Sequence, residues 1–249
     1  MSNYVIGGWT QSTSNQPPDE SFAYTMYGMI TNLNGLTSGT PSQPGWSPTD
    51  TPPPAIPGKV LWTYGGQACT PNGMPDSDQN VNDIISATNS SGWDGVDFDD
   101  ECQMNTDMII NTMESLKPKE SSYTFLAGWN YNNPDQSDEG KQINQNVQKI
   151  GATGLCDRFI LMCYADAMWP MPDIQNNVGP AIERTIENLG NDSNKKVILA
   201  LTPAGLNQEN LNYFLEQVTK YDIGGLFIWE FPNLSASDLE TIKNTLGIS

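Results

Sequence analysis

From residue 58 onward the chain alternates short, nearly continuous apolar runs with longer stretches in which apolar residues recur every three or four positions. The first kind suits strands buried on both faces, and the second suits amphipathic helices. Strands are predicted at Lys59 to Gly66, Trp93 to Glu101, Tyr123 to Trp129, Arg158 to Ala165, Lys196 to Thr202 and Gly224 to Glu230. Helices are predicted at 79–90, where Val81, Ile84, Ile85 and Ala87 keep helical spacing, and at 105–117, 138–150, Gly179 to Leu189, Gln208 to Lys220 and Ala236 to Leu246. Before residue 58 the rhythm is weaker. Tyr4 to Trp9 reads as a first strand, and the apolar run Phe22 to Ile30 as a short helix or turn leading into a second strand near 26–33. Residues 38–57 carry Pro41, Pro44, Pro48, Pro52, Pro53, Pro54 and Pro57, a density that forbids a helix, and they are expected to form a Pro-rich loop.

Strands that alternate with helices imply parallel pairing through right-handed crossovers. The predicted fold class is therefore α/β, a single (β/α)8 TIM barrel over residues 1–249, with shortened or irregular helices in its first third. Such a barrel takes about 250 residues, which leaves little room for anything else. A doubly wound sheet is the alternative, but no Gly-rich phosphate loop supports it.

One stretch stands out within this pattern, Asp94-Gly95-Val96-Asp97-Phe98-Asp99-Asp100-Glu101. On a strand, Asp97, Asp99 and Glu101 share one face, and Val96, Phe98 and Asp100 share the other. Carboxylates spaced about 6.6 Å apart raise one another's pKa, which is one way to keep a carboxylic acid protonated near neutral pH. A solvated acidic turn or a calcium loop is the bland reading. The run lacks the sixth-position glycine and the twelve-residue ligand spread of a helix-loop-helix calcium site.

Composition narrows the chemistry. The 249 residues carry a formal charge of −18 and no histidine. Nucleic acids and anionic membrane surfaces both want basic patches, so neither is an expected partner. Without histidine there is no Ser-His-Asp or Cys-His catalysis, and no metal site or cofactor is expected; the chemistry should run on carboxylates and phenols. Cys69, Cys102, Cys156 and Cys163 form no CxxC pair. Cys69 and Cys102 fall just beyond neighbouring strand ends, and the sequence leaves open a disulfide between them or two free thiols. Cys163 should face the helix layer. The N-terminus shows no basic segment followed by an apolar run, so a signal peptide is not expected; a cytoplasmic protein, non-classical export or a mature secreted form all remain compatible.

The acidic run matches, position for position, the Asp-Gly-x-Asp-x-Asp-x-Glu signature, and here the chain resembles the family-18 glycoside hydrolases, the chitinases and related endo-β-N-acetylglucosaminidases. Other strand ends extend the likeness. Met162, Tyr164 and Asp166 are similar to the family's Met-x-Tyr-Asp segment, except that Ala165 separates the tyrosine from the aspartate. Tyr64-Gly65-Gly66 resembles its Gly-Gly segment, and Trp229 closes the last strand. Only roughly twenty residues separate the strands at 196–202 and 224–230, room for one helix and its turns. The insertion domain that deepens the cleft in some family members therefore does not fit, and a shallow groove is implied.

The resemblance implies a retaining, substrate-assisted hydrolysis of β-1,4 bonds in N-acetylglucosamine polymers or glycans, an exception to the two-carboxylate rule. Glu101 would be the acid and then the base, Asp99 would orient the 2-acetamido group, Asp97 would share charge or a proton with Asp99, and Tyr164 would hold the acetamido oxygen. Trp229 would floor the sugar subsite, with Met162, Asp166, Tyr64, Gly66 and Trp129 as further substrate-binding residues. Asp94 reads as a turn cap or barrel support, and Asp100 receives no catalytic role. The implied partners are chitin, chitooligosaccharides or N-glycans. The alternative is a catalytically inactive chitinase-like protein with a carbohydrate-binding, storage or toxin-associated role.

Overall fold

The computed structural model describes residues 3–12, 14–30, 56–67, 75–190 and 192–249. Eight strands, β1 (Val5–Thr10), β2 (Phe22–Ile30), β3 (Lys59–Gly65), β4 (Gly95–Asp100), β5 (Glu120–Leu126), β6 (Arg158–Met162), β7 (Val197–Leu201) and β8 (Gly225–Trp229), close into a barrel in sequence order. Every neighbouring pair is parallel, including β8 with β1, where Trp9 stands opposite Trp229. Among the described residues, closure leaves no sheet edge to template aggregation.

The helices described are α1 (Asp78–Ser91), α2 (Thr106–Leu116), α3 (Trp129–Asn132), α4 (Asp138–Thr153), α5 (Met171–Leu189), α6 (Gln208–Lys220) and α7 (Ala236–Leu246). Each longer helix turns an apolar stripe to the sheet, such as Val81, Ile84 and Ala87 of α1 and Ile143, Val147 and Ile150 of α4. Most start on a polar cap. Ser77, Asn105, Ser137, Asn207 and Ser235 all accept a hydrogen bond from a first-turn N–H, which holds donors the helix cannot satisfy itself. Aromatic rings fill the layer between sheet and helices, with Trp62 and Trp93 edge to face at 4.7 Å. Each large ring or branched chain so buried contributes about 1.5–3 kcal/mol. No described helix is long and apolar enough to cross a membrane.

Four expectations are corrected. The Phe22–Ile30 run is strand throughout, because a barrel strand covered on both sides needs no polar alternation. β5 ends at Leu126 rather than Trp129, and Trp129 opens the short helix α3. β6 ends at Met162, so Tyr164 and Asp166 stand in the loop beyond it. α5 begins at Met171, eight residues before the expected start, and runs through Pro180; burial of Ile174 and Val178 carries it past the hydrogen bond that the proline cannot make. The first-third helices are absent from the described part of the β1–β2 connection. Residues 38–55 of the Pro-rich loop lie outside the described residues.

Candidate active site

β4 presents its acidic residues alternately inward and outward, and the inward set lies at the C-terminal mouth, where barrels of this kind place their chemistry. Asp97 is deepest, at 0% exposure. Its Oδ1 accepts from Ser122 Oγ at 2.7 Å and Thr124 Oγ1 at 2.8 Å; its Oδ2 accepts from Thr63 Oγ1 at 3.0 Å and Trp9 Nε1 at 3.1 Å. Strand register supplies these donors, since Thr63 of β3 and Ser122 of β5 stand level with Asp97. Burial still pushes the Asp97 pKa up, against the pull of those four bonds.

One step nearer the mouth, Asp99 is also buried, at 4% exposure, and its Oδ1 has no hydrogen-bond partner among the described residues. Burial raises its pKa well above the ordinary carboxylate value, and the charges of Glu101, Asp97 and Asp100 add to the rise. Glu101 follows the strand and is partly exposed; burial lifts its pKa too, helped by Asp166 and Asp100. Tyr164 faces the same group. Its phenol is pushed well up by burial first and by Asp99 and Glu101 next, so it stays a neutral donor.

These side chains line a cavity of about 680 Å³. Asp99, Glu101, Met162, Tyr164, Asp166 and Trp229 of the sequence-derived set form its wall, together with Trp9, Gln11, Met29, Gly65, Gln67, Leu126 and Ala165. Asp166 reaches the wall from a bend in which Ala165 N donates to Ala167 O at 3.2 Å, so the extra residue after Tyr164 is absorbed locally.

Four expected residues stand elsewhere. Asp97 lies beneath the wall rather than in it. Tyr64 is buried and pairs with Phe98 at 6.1 Å, on the helix side of the sheet. Since Gly65 faces the cavity, its neighbour Tyr64 must point outward. Gly66 supports the site from its backbone, donating its N–H to Asp99 O at 2.9 Å. Trp129 is 54% exposed at the start of α3 and outside the cavity wall.

Other residues escaped the sequence reading. Trp9 and the three hydroxyls around Asp97 are set by register, which no local pattern shows. Glu230 accepts from Gln11 N at 2.6 Å and Thr10 Oγ1 at 3.2 Å, tying the end of β8 to the loop that brings Gln11 to the cavity. Asp94 supports the barrel floor through Val60 N at 2.9 Å. Cys102 is disulfide-bonded and Cys69 lies outside the described residues; Cys156 and Cys163 are buried free thiols, and burial pushes the Cys156 thiol up to about 12. Among the described residues, no cluster of His, Cys, Asp or Glu is arranged to hold a metal ion.

A closed parallel barrel with stacked carboxylates at the mouth of β4 defines a (β/α)8 protein with an acidic pocket. No protein-family model matches the chain, and no curated protein matches it. Solved structures do. A GH18 chitinase from Pseudoalteromonas aurantia is 12% identical with a TM-score of 0.67, covering 97% of this chain and 99% of its own. A glycoside hydrolase family 18 N-acetylglucosaminidase from Paenibacillus barengoltzii is 10% identical with a TM-score of 0.63 over 97% and 99%. The xylanase and α-amylase inhibitor protein XAIP-II from Scadoxus multiflorus is 14% identical with a TM-score of 0.55 over 99% of both chains. The chain has the fold of the family-18 chitinases, a single TIM barrel with no added insertion domain among the described residues.

Proposed function

We propose that the whole chain is one catalytic barrel that hydrolyses β-1,4 bonds in N-acetylglucosamine-containing polymers or oligosaccharides, with retention and with help from the substrate. The observation that carries this reading is Asp99 Oδ1, a buried acceptor without a partner among the described residues, set in the cavity wall next to Glu101. A lone buried acceptor is costly unless something fills it, and an amide N–H is the donor that fits.

In this mechanism Glu101 gives its proton to the glycosidic oxygen as the bond to the anomeric carbon breaks. The carbonyl oxygen of the sugar's own 2-acetamido group attacks that carbon and closes an oxazolinium ring. Asp99 accepts the acetamido N–H and offsets the positive charge of the ring, while the Tyr164 hydroxyl donates to the acetamido oxygen. Water then adds at the anomeric carbon as that carbon's bond to the acetamido oxygen breaks and the acetamide re-forms, and the water yields a proton to Glu101, which is restored. The raised Glu101 pKa keeps the acid protonated at a pH where ordinary glutamates are ionised. Trp229 offers an aromatic face to the sugar ring. Asp97, held by four donors, serves as a fixed base for the stack rather than as a contact to substrate.

The second reading is a sugar-binding barrel without hydrolysis, favoured by one fact: a fold-mate is an inhibitor protein. The deciding experiment is release of a fluorophore from chitobiose and chitotriose conjugates by the wild type and Glu101→Gln. Turnover that falls by about 10³ or more in the variant supports the hydrolase. A folded wild type that binds chitooligosaccharides and releases nothing replaces it with the binding reading.

A further inference from the structure

Asp100 is the one β4 carboxylate that the proposed chemistry leaves unused. It faces the helix layer and is only 4% exposed, yet it is fully engaged. Its Oδ1 accepts from Met104 N at 2.8 Å and Cys102 N at 3.3 Å; its Oδ2 accepts from Tyr123 Oη at 2.6 Å and Asn146 Nδ2 at 3.4 Å. Asn146 is held in turn, its Oδ1 accepting from Thr106 Oγ1 at 2.9 Å and Gln142 Nε2 at 2.8 Å. One carboxylate thus joins the end of β4 to β5, α2 and α4.

The two backbone donors give this hub its consequence. Cys102 and Met104 flank Gln103, which holds a left-handed φ of 60°, a conformation that a non-glycine residue keeps only when its surroundings enforce it. The turn therefore folds around the Asp100 carboxylate, and Glu101 is its first residue. Met104, buried at the end of the turn, closes against Gly65 of the cavity wall.

We propose that Asp100 is a positioning residue for Glu101: it fixes the turn that carries the Glu101 carboxyl and sets a water-shielded negative charge behind it. The ionisable groups that act on Glu101 are Asp99 and Asp100 of β4 and Tyr164 and Asp166 from the loop after β6, while uncharged Gly65 and Gln67 from the end of β3 line the same cavity. Of the carboxylates, Asp166 is exposed to solvent and screening, whereas Asp100 acts from the dry side of the sheet. The consequence for catalysis rests on the proposed role of Glu101 as proton donor. The coupling of the two carboxyls does not, and it is measurable in an inactive protein.

The test follows the Glu101 carboxyl directly, by the pH dependence of its 13C resonance in protein labelled at glutamate Cδ, assigned through Glu101→Gln. Asp100→Asn keeps an oxygen for Met104 N and removes the charge; Tyr123→Phe keeps the charge and removes one donor. The Glu101 midpoint is expected to fall by about one pH unit in Asp100→Asn and to stay within about 0.3 unit in Tyr123→Phe. Asp100→Ser removes the same charge and enters the same titration if the Asn variant misfolds. An unmoved midpoint in a folded, charge-free variant overturns the proposal, as does an equal fall in Tyr123→Phe. Where the wild type turns over chitooligosaccharide conjugates, the alkaline limb of kcat/KM should move with the midpoint. A wild type without turnover that still shows the titration shift sinks the proposed hydrolase and leaves the Asp100–Glu101 coupling in place.

Discussion

Asp97 and Asp99, two residues apart on one face of β4, stand at opposite ends of hydrogen-bond satisfaction: Asp97 accepts four bonds from four side chains, and Asp99 keeps an oxygen with no partner among the described residues. The first is a finished structural joint. The second is an open valence whose cost the fold bears, as functional sites commonly do.

That cost sets the first prediction. Below the ordinary aspartate value of 3.8 both folded and unfolded states hold the Asp99 proton, and the group adds no pH dependence. As pH rises, the unfolded chain ionises first while the buried site resists, so stability falls across the window from that value up to the raised folded one. Asp99→Asn cannot ionise. It should melt about 2–4 °C above the wild type at pH 7, the shift that about 1 kcal/mol gives a chain of this size, with the gap closing toward pH 3. Thermal melts at several pH values check this, and a variant that melts lower at pH 7 would refute the strain.

Asp166 offers a second reading of the same electrostatics from the solvent side. After burial, its charge ranks ahead of that of Asp100 among the causes raising the Glu101 pKa, but Asp166 is exposed and solvent screening discounts it below the water-shielded Asp100. Asp166→Asn should therefore make Glu101 a stronger acid and move the alkaline limb of the activity profile to lower pH, by about 0.3–0.5 unit at an exposed position. Because Asp166 is exposed, the shift should shrink in 1 M salt, where the screening length is about 3 Å. A salt-independent shift would mean that the substitution moves the loop instead.

Much of this was legible in the chain itself. Continuous apolar runs against helical spacing gave the barrel, because a strand covered on both faces leaves a different record from a helix covered on one. The outward turn of Tyr64 was not legible, since strand phase fixes it only once the structure shows Gly65 facing the cavity. The donors around Asp97 were not. Trp9, Thr63 and the Ser122/Thr124 pair lie on three strands far apart in sequence, and only the register of β1, β3, β4 and β5 brings them together. Register is a property of closure, and no local window contains it.

The donor set makes the third prediction. Thr63→Val preserves shape and deletes the hydroxyl that meets Asp97 Oδ2, leaving a buried carboxylate one bond short. A hydrogen bond to a charged group contributes about 1.5–3 kcal/mol, so the melting temperature should fall by about 3–12 °C. If Asp97 is a support and does not touch substrate, kcat should change by less than about threefold. Steady-state kinetics below the melting range separate the two roles, since a loss comparable to that of Glu101→Gln would put Asp97 in the chemistry.

The last prediction contrasts two adjacent glycines at the end of β3. Gly65 and Gly66 both hold positive φ, at 101° and 87°, so an alanine is strained at either. Their surroundings differ. A Cβ on Gly65 would run into the backbone oxygen of Asp99 and the Met104 methyl, and the backbone of a central strand cannot move aside without carrying Asp99 with it. The atoms nearest a Cβ on Gly66 belong to the side chain of Met29, with Cγ closest at 2.8 Å, and that atom can swing away with a change of methionine rotamer. Gly66→Ala should therefore cost about 1–2 kcal/mol, chiefly backbone strain. Gly65→Ala adds overpacking to that strain and should cost about 3–5 kcal/mol in all, with activity lost even where the protein stays folded because the Asp99 main chain is displaced. Urea unfolding of both variants, with turnover measured in the native range, settles the comparison. Equal destabilisation would show that backbone conformation alone governs this turn and that the β3–β4 contact can yield.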